Sequence, residues 1–219
     1  MEVIKNINIS PKKYPVIGSI LWLIGGTQYF IIQIIASLAW TSPKYNALNN
    51  YISDLGNVNC ETFKEGLICS PLHGLMNLSF IILGILIILG SLLIYRGFAK
   101  KPSLTNGIWL ILISGLGFIL AGLFPQDVYL RLHMTGAMFI FIAGNIGLIF
   151  LNLYSQPKIP KRINLLIFAS AFMSLFAVLL LNLLPIPGLI ERIIVYPQTI
   201  WLIIYSGHTI FKWIKTKAI

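Results

Sequence analysis

Eight side chains stand out as able to do chemistry: Asp54, His73, Asn77, Asp127, Arg131, His133, Glu191 and Arg192. They fall just before, or within the first turn or two of, long apolar runs. Imidazoles and carboxylates in one place support three chemistries. His73 and His133 can be hydrogen-bonding partners of Asp54 and Asp127, a purely structural use. Together with those two aspartates they can hold zinc, which lowers the pKa of its bound water to about 7 and would make a metal-dependent membrane hydrolase of lipid or amide bonds. As axial ligands of a haem held between helices two and four, they would make an electron-transfer protein. No H-x-x-x-H or H-E-x-x-H spacing occurs, so zinc ligands would have to converge from separate helices. Zinc and haem enter only with these alternatives, and the sequence implies no other cofactor.

The elements that must position these residues are membrane spans. No Asp, Glu, Lys or Arg occurs between Lys13 and Lys44, Glu65 and Arg96, Lys101 and Asp127, Arg131 and Lys158, Arg162 and Glu191, or Arg192 and Lys212. Each run can cross a hydrocarbon core of ~30 Å, which takes about 20 helical residues. Six crossings place twelve of the sixteen basic residues on one side, namely Lys5, Lys12, Lys13, Arg96, Lys100, Lys101, Lys158, Lys161, Arg162, Lys212, Lys215 and Lys217. By the positive-inside rule that side is cytoplasmic and both termini lie there. The expected fold is therefore all-α: a six-transmembrane-helix bundle, multi-pass in the cell membrane. A cytoplasmic tail covers 1–14, and the helical domain covers 15–213, with helices at about 15–40, 71–95, 106–124, 132–154, 163–184 and 189–212. An outer loop covers 41–70, and a second cytoplasmic tail 214–219.

Composition agrees with this reading, with 57% hydrophobic and 10% charged residues. The net charge of +10 raises nucleic acid as a partner, but the basic residues sit in short loops beside apolar spans, where they set topology and meet anionic headgroups. No nucleic-acid partner is expected; membrane lipids are, with a protein partner as a further candidate. Cys60 and Cys69 share the outer loop, where an oxidising exterior favours a disulfide over two free thiols.

Ser70 is placed to cap helix two, with Pro71 at its first position. Pro197 either breaks helix six near the outer surface, freeing the Ile193 carbonyl, or sits in the first turn of a helix that starts later. Helix five is apolar almost all round and should face lipid. Gly115, Gly117, Ala121 and Gly122 on helix three, with Gly136, Ala137, Ala143 and Gly144 on helix four, allow close approach of backbones. Gln28, Gln33 and Asn145 read as interhelical glue.

Helices two, four and six all start outside, so three positive dipole ends face outward. There the acids either cap helices or compete with an anionic ligand. The favoured reading is an outward-opening polar pocket lined by Asp54, His73, Asn77, Asp127, His133, Glu191 and Arg192. Arg131 and Arg192 would hold a lipid headgroup, a small anion or an acidic partner there.

Several short motifs carry a family resemblance. Tyr51-Ile52-Ser53-Asp54-Leu55-Gly56, Asn77 followed by Gly84, Phe124-Pro125-x-Asp127 followed by His133, and Gly188-Leu189-Ile190-Glu191-Arg192 with Trp201 beyond resemble an uncharacterised membrane family, domain of unknown function 998. The Tyr-Ile-Ser-Asp segment and later His are also distantly similar to the DRAM family of autophagy modulators. The resemblance spans residues 15–213 and implies six helices with signature polar residues near one face. It implies no reaction.

Overall fold

From Tyr14 to Ala39 the chain is uncharged and strongly apolar, and its one proline, Pro15, sits in the first turn, where no intrahelical donor is lost; this stretch forms α1 (Tyr14–Ala39). The computed structural model describes residues 13–63, 66–97, 102–154, 160–181 and 183–217. Most of the N-terminal tail, Lys100, Lys101, Lys158 and the last two residues lie outside the described residues. After α1 come a buried 3-10 turn (Ser53–Gly56) and a small hairpin, β1 (Glu61–Phe63) and β2 (Gly66–Ile68). The helices α2 (His73–Gly97) and α3 (Pro102–Leu123) follow. One continuous rod then combines α4 (Leu130–Met138), a π-helix (Phe139–Gly144) and α5 (Asn145–Tyr154). Last come α6 (Lys161–Leu180) and α7 (Pro187–Lys217).

The fold is all-α with six rods, apart from the hairpin, which pairs Glu61 with Ile68, Thr62 with Leu67 and Phe63 with Gly66. Cys60 and Cys69 flank this register and are joined by a disulfide. Five of the rods are long and apolar enough to cross a membrane. The remaining rod, α7, is diluted by Gln198, Thr199 and Ser206, all buried inside the bundle rather than facing its surroundings.

The rods close a ring. α1 packs on α2, α2 on α3, α3 on both α4 and α5, α5 on α6, α6 on α7, and α7 back on α1. Inside lie Trp22, Tyr29, Leu83, Ile87, Ile111, Phe118 and Trp201. Neighbouring backbones meet where side chains vanish: a Cβ built on Gly84 would lie 2.4 Å from the Gly115 carbonyl oxygen, and one on Gly117 2.5 Å from that of Gly136. α6 is the peripheral rod, with 22% of its span buried against 39% to 56% in the other four.

Several ends differ from the sequence reading. α3 begins at Pro102, because proline in the first turn forfeits no hydrogen bond. α6 stops at Leu180, short of Pro185. α2 begins at His73, and Ser70 does not cap it; its hydroxyl donates to the Leu55 carbonyl at 2.7 Å. Pro197 lies well inside α7, so the later-starting helix is excluded.

Candidate functional site

The loop joining α1 to α2 folds over one end of the ring, here termed the loop face. Its segment Ile52–Asn57 is not a surface loop. Ile52, Asp54, Leu55 and Asn57 are each 2% exposed or less, so this stretch is a plug seated in the mouth of the bundle. Burying so much backbone requires partners for its N–H and C=O groups. Asp54 begins locally, accepting from the Tyr51 N–H at 2.8 Å, which tightens the turn. Gly56 must be small, because a Cβ there would lie 2.3 Å from Oδ1 of Asn77.

The other partners arrive from helix ends. Glu191, in the first turns of α7, accepts from the Ile52 N–H. Asn77 donates to the Gly56 carbonyl at 2.8 Å. Asp127, in the α3–α4 turn, accepts from the N–H groups of Val58 (2.9 Å) and Asn59 (2.7 Å) and from the Asn59 amide (3.1 Å). Gln126, which sequence reasoning missed, donates to Asp54 at 2.6 Å and accepts from the Ser53 hydroxyl at 2.9 Å. Asp54, Asn77, Asp127 and Glu191 therefore do converge, yet on a piece of the chain itself. The pocket expected among them is occupied by the plug, because helix N-termini and their acids satisfy loop backbone first.

His133 lies beneath the plug. Its Nδ1 donates to the Phe124 carbonyl at 3.0 Å, and a carbonyl can only accept, so Nδ1 carries the proton. It shares with Tyr29, Ser53, Phe118 and Glu191 the wall of a cavity of about 20 Å³. His73 is half-buried at the start of α2, Arg131 is exposed, and among the described residues neither joins the plug by a hydrogen bond. Among the described residues no three His, Cys, Asp or Glu side chains are grouped so as to hold a metal ion. The cavity beside His133 is about 20 Å³, and α3 packs on both α2 and α4.

Arg192 faces a second feature. One guanidinium nitrogen donates to the carbonyls of Ala47 (2.9 Å), Asn50 (3.0 Å) and Gly188 (2.7 Å), and the other donates to the Tyr45 hydroxyl. The cation also lies 5.6 Å from the Tyr45 ring centroid. Burial pushes the Tyr45 hydroxyl above its ordinary range, against the pull of Arg192, so it stays a neutral phenol. The Tyr45 hydroxyl in turn donates to the Tyr51 carbonyl at 3.0 Å. Tyr196, one helical turn after Arg192, donates to Gln33 on α1.

These residues edge an open groove of about 390 Å³ between α1, α7 and the loop. Its polar side is Lys44, Tyr45, Arg192, Tyr196 and Gln33; its apolar side is Ile34 and Leu38. The hydrogen-bond acceptors of Arg192 are neutral, the Glu191 carboxyl lies within electrostatic reach of it, and Arg192 and Lys44 both line the groove. Of the groove's residues, sequence reasoning singles out only Arg192 as a binding group. The signal that could have found Tyr196 is its position four residues on, on the same helical face.

Six rods, five of them of membrane-spanning length and apolarity, with a plugged polar mouth, define a multi-pass helical membrane protein. Within that class, the family model for "protein of unknown function (DUF998)" matches residues 23–208, and the chain belongs to this family. Comparisons with curated proteins and with solved structures gave no match.

Proposed function

We propose that the protein is a non-catalytic membrane protein that binds an anionic group, the phosphate or carboxylate of a lipid headgroup or small anion, in the Lys44–Arg192 groove. The observation that carries this is two cationic side chains on one open groove, with the guanidinium held in place by three carbonyls and a phenol. Pre-organised guanidinium is suited to oxyanions, since little side-chain freedom is lost on binding. Arg131, on the exposed start of α4, takes no part. The loop face is the outer side of the cell membrane and both termini are cytoplasmic, because the described basic residues Lys13, Arg96, Arg162, Lys212 and Lys215 stand at the opposite helix ends.

The test is thermal unfolding of detergent-purified protein with a short-chain phosphatidylglycerol, with the matching phosphatidylcholine and with inorganic phosphate. A ligand that binds only the folded protein stabilises it by about 2.7 kcal/mol at a hundred times its Kd. The expected result is saturable stabilisation by anionic species, much reduced in Lys44→Glu. Equal responses of the wild type and of both Lys44→Glu and Arg192→Gln to every anion would refute the site. A C-terminal tag reached by impermeant reagent in intact cells would reverse the orientation.

A further inference from the structure

The groove does not end in a wall. On α1 its lining residues are Gln33, Ile34, Ser37 and Leu38, and of these Ile34 is 57% and Leu38 73% exposed. The same exposed face continues down the helix through Ile31, Ile24 and Ile20, at spacings of three, seven and four residues that keep to one side of a helix. In a span of 26 residues this stripe lies against acyl chains, so the groove opens sideways into the hydrocarbon region rather than only upward.

Its chemistry is also ordered by depth. Lys44 and Tyr45 stand on the loop beyond the end of α1, and Arg192 in the opening turns of α7. Ser37 lies just inside the end of α1. Gln33, bonded to Tyr196, lies about 9 Å below that end at 1.5 Å per residue. Headgroup layers add about 5–7 Å on each side of the hydrocarbon core, so Gln33 falls near the depth where headgroup gives way to chain. Cations above, amide and phenol below them, and beneath those the aliphatic stripe of Ile31, Ile24 and Ile20 repeat the order of groups along an anionic glycerolipid.

We infer that the occupant of this groove is an anionic glycerolipid drawn laterally from the surrounding bilayer. Its phosphate lies on Lys44 and Arg192, its glycerol and ester oxygens against Ser37 and the Gln33–Tyr196 pair, and one acyl chain runs from Ile34, level with that pair, down Ile31 and Ile24. This rests on the anion-binding reading above and goes further by choosing the membrane over the aqueous phase as the source. A soluble anion would use only the upper half of the groove.

The experiment is native mass spectrometry of the full chain in detergent with palmitoyl-oleoyl phosphatidylglycerol, palmitoyl-oleoyl phosphatidylcholine and soluble glycerol phosphate, on wild type, Ile34→Gln and Lys44→Glu. Phosphatidylglycerol should bind at least about tenfold tighter than glycerol phosphate, the factor expected for burying part of one chain. Ile34→Gln should remove most of that advantage and leave glycerol phosphate unchanged, whereas Lys44→Glu should weaken both. Ile34 is exposed, so the variant keeps the fold, and an unchanged melting temperature checks this. Equal binding of glycerol phosphate and phosphatidylglycerol overturns the lateral lipid while leaving the anion site standing. Equal binding of the two phospholipids overturns the charge selectivity, and no binding of any anion overturns both readings.

Discussion

The hydroxyl of Ser174 on α6 donates to the carbonyl of Ile193 on α7 at 2.7 Å. That carbonyl would ordinarily accept from the N–H four residues on, but the residue there is Pro197, which has none. An unpaired carbonyl inside a membrane bundle is costly, and the hydroxyl from the neighbouring rod removes that cost. Asn145 on α5 donates to the next carbonyl, that of Ile194, at 3.0 Å, a second interhelical hydrogen bond beside the proline.

This makes Ser174 and Pro197 energetically coupled. Ser174→Ala should destabilise the protein by about 0.6–1.7 kcal/mol, the range for interhelical hydrogen bonds in membranes. In a Pro197→Ala background, where the backbone can supply its own donor, the same change should cost much less. Reversible unfolding in mixed micelles across the four proteins measures the coupling. Additive effects would mean that the hydroxyl does not serve the freed carbonyl.

Glu191 and Arg192 are neighbours that hold the same loop at two points, Glu191 through the Ile52 N–H and Arg192 through the Ala47 and Asn50 carbonyls. Glu191→Ala should leave the Ile52 N–H without its acceptor in the closed mouth. Leaving that buried donor without a partner costs about 1–3 kcal/mol, so exchange of the Ile52 amide should speed by roughly five- to a hundredfold. Hydrogen–deuterium exchange over residues 51–57 reads this directly. Unchanged protection there would show that the plug is held by its other anchors alone.

Much of this architecture is legible in the amino-acid sequence. Charge-free runs mark the spans, and the small residues Gly115, Gly117 and Gly136 mark where they touch. The order of the rods around the ring is not legible in hydropathy, and that order decides the site. His73 opens α2 and His133 stands on α4, and α3 packs on both of those rods. The acids at helix starts are recognisable as anchors, but their partner is not: Glu191 reaches a backbone N–H 139 residues away. Nothing in composition says that a polar loop will bury itself as a plug. Tyr45 is hidden for the same reason, since it acquires its role only when α1 and α7 close the ring; Gln33, legible as interhelical glue, does accept from Tyr196 across those two rods.

The glycines on α2 make a prediction with an internal control. Gly84→Ala would put a methyl group 2.4 Å from the Gly115 carbonyl oxygen and 2.9 Å from the Ile119 nitrogen, and neither backbone atom can yield without moving α3. Overpacking of this kind costs about 1–3 kcal/mol. Gly74, on the same helix, has no heavy atom within 4 Å of a built Cβ. Gly74→Ala should be neutral or gain up to about 1 kcal/mol from helix propensity. Melting temperatures of the two variants in one detergent compare them, and similar shifts would argue against backbone contact between α2 and α3.

Gly56 and Asn77 give the sharpest test of how the plug is seated. The Asn77 side chain donates to the Gly56 carbonyl at 2.8 Å, while its own oxygen occupies the place a Cβ on residue 56 would need, 2.3 Å away. Gly56→Ala therefore forces Asn77 aside and breaks the bond that Asn77 makes, at a cost of about 1–3 kcal/mol. Asn77→Ala should cost about 1 kcal/mol from the lost hydrogen bond alone. The double variant has room for the new methyl group, so its loss should fall well short of the sum of the two single losses. Protease sensitivity of the loop and thermal unfolding, measured on all four proteins, decide the matter. If the losses simply add, Asn77 is not what requires glycine at position 56.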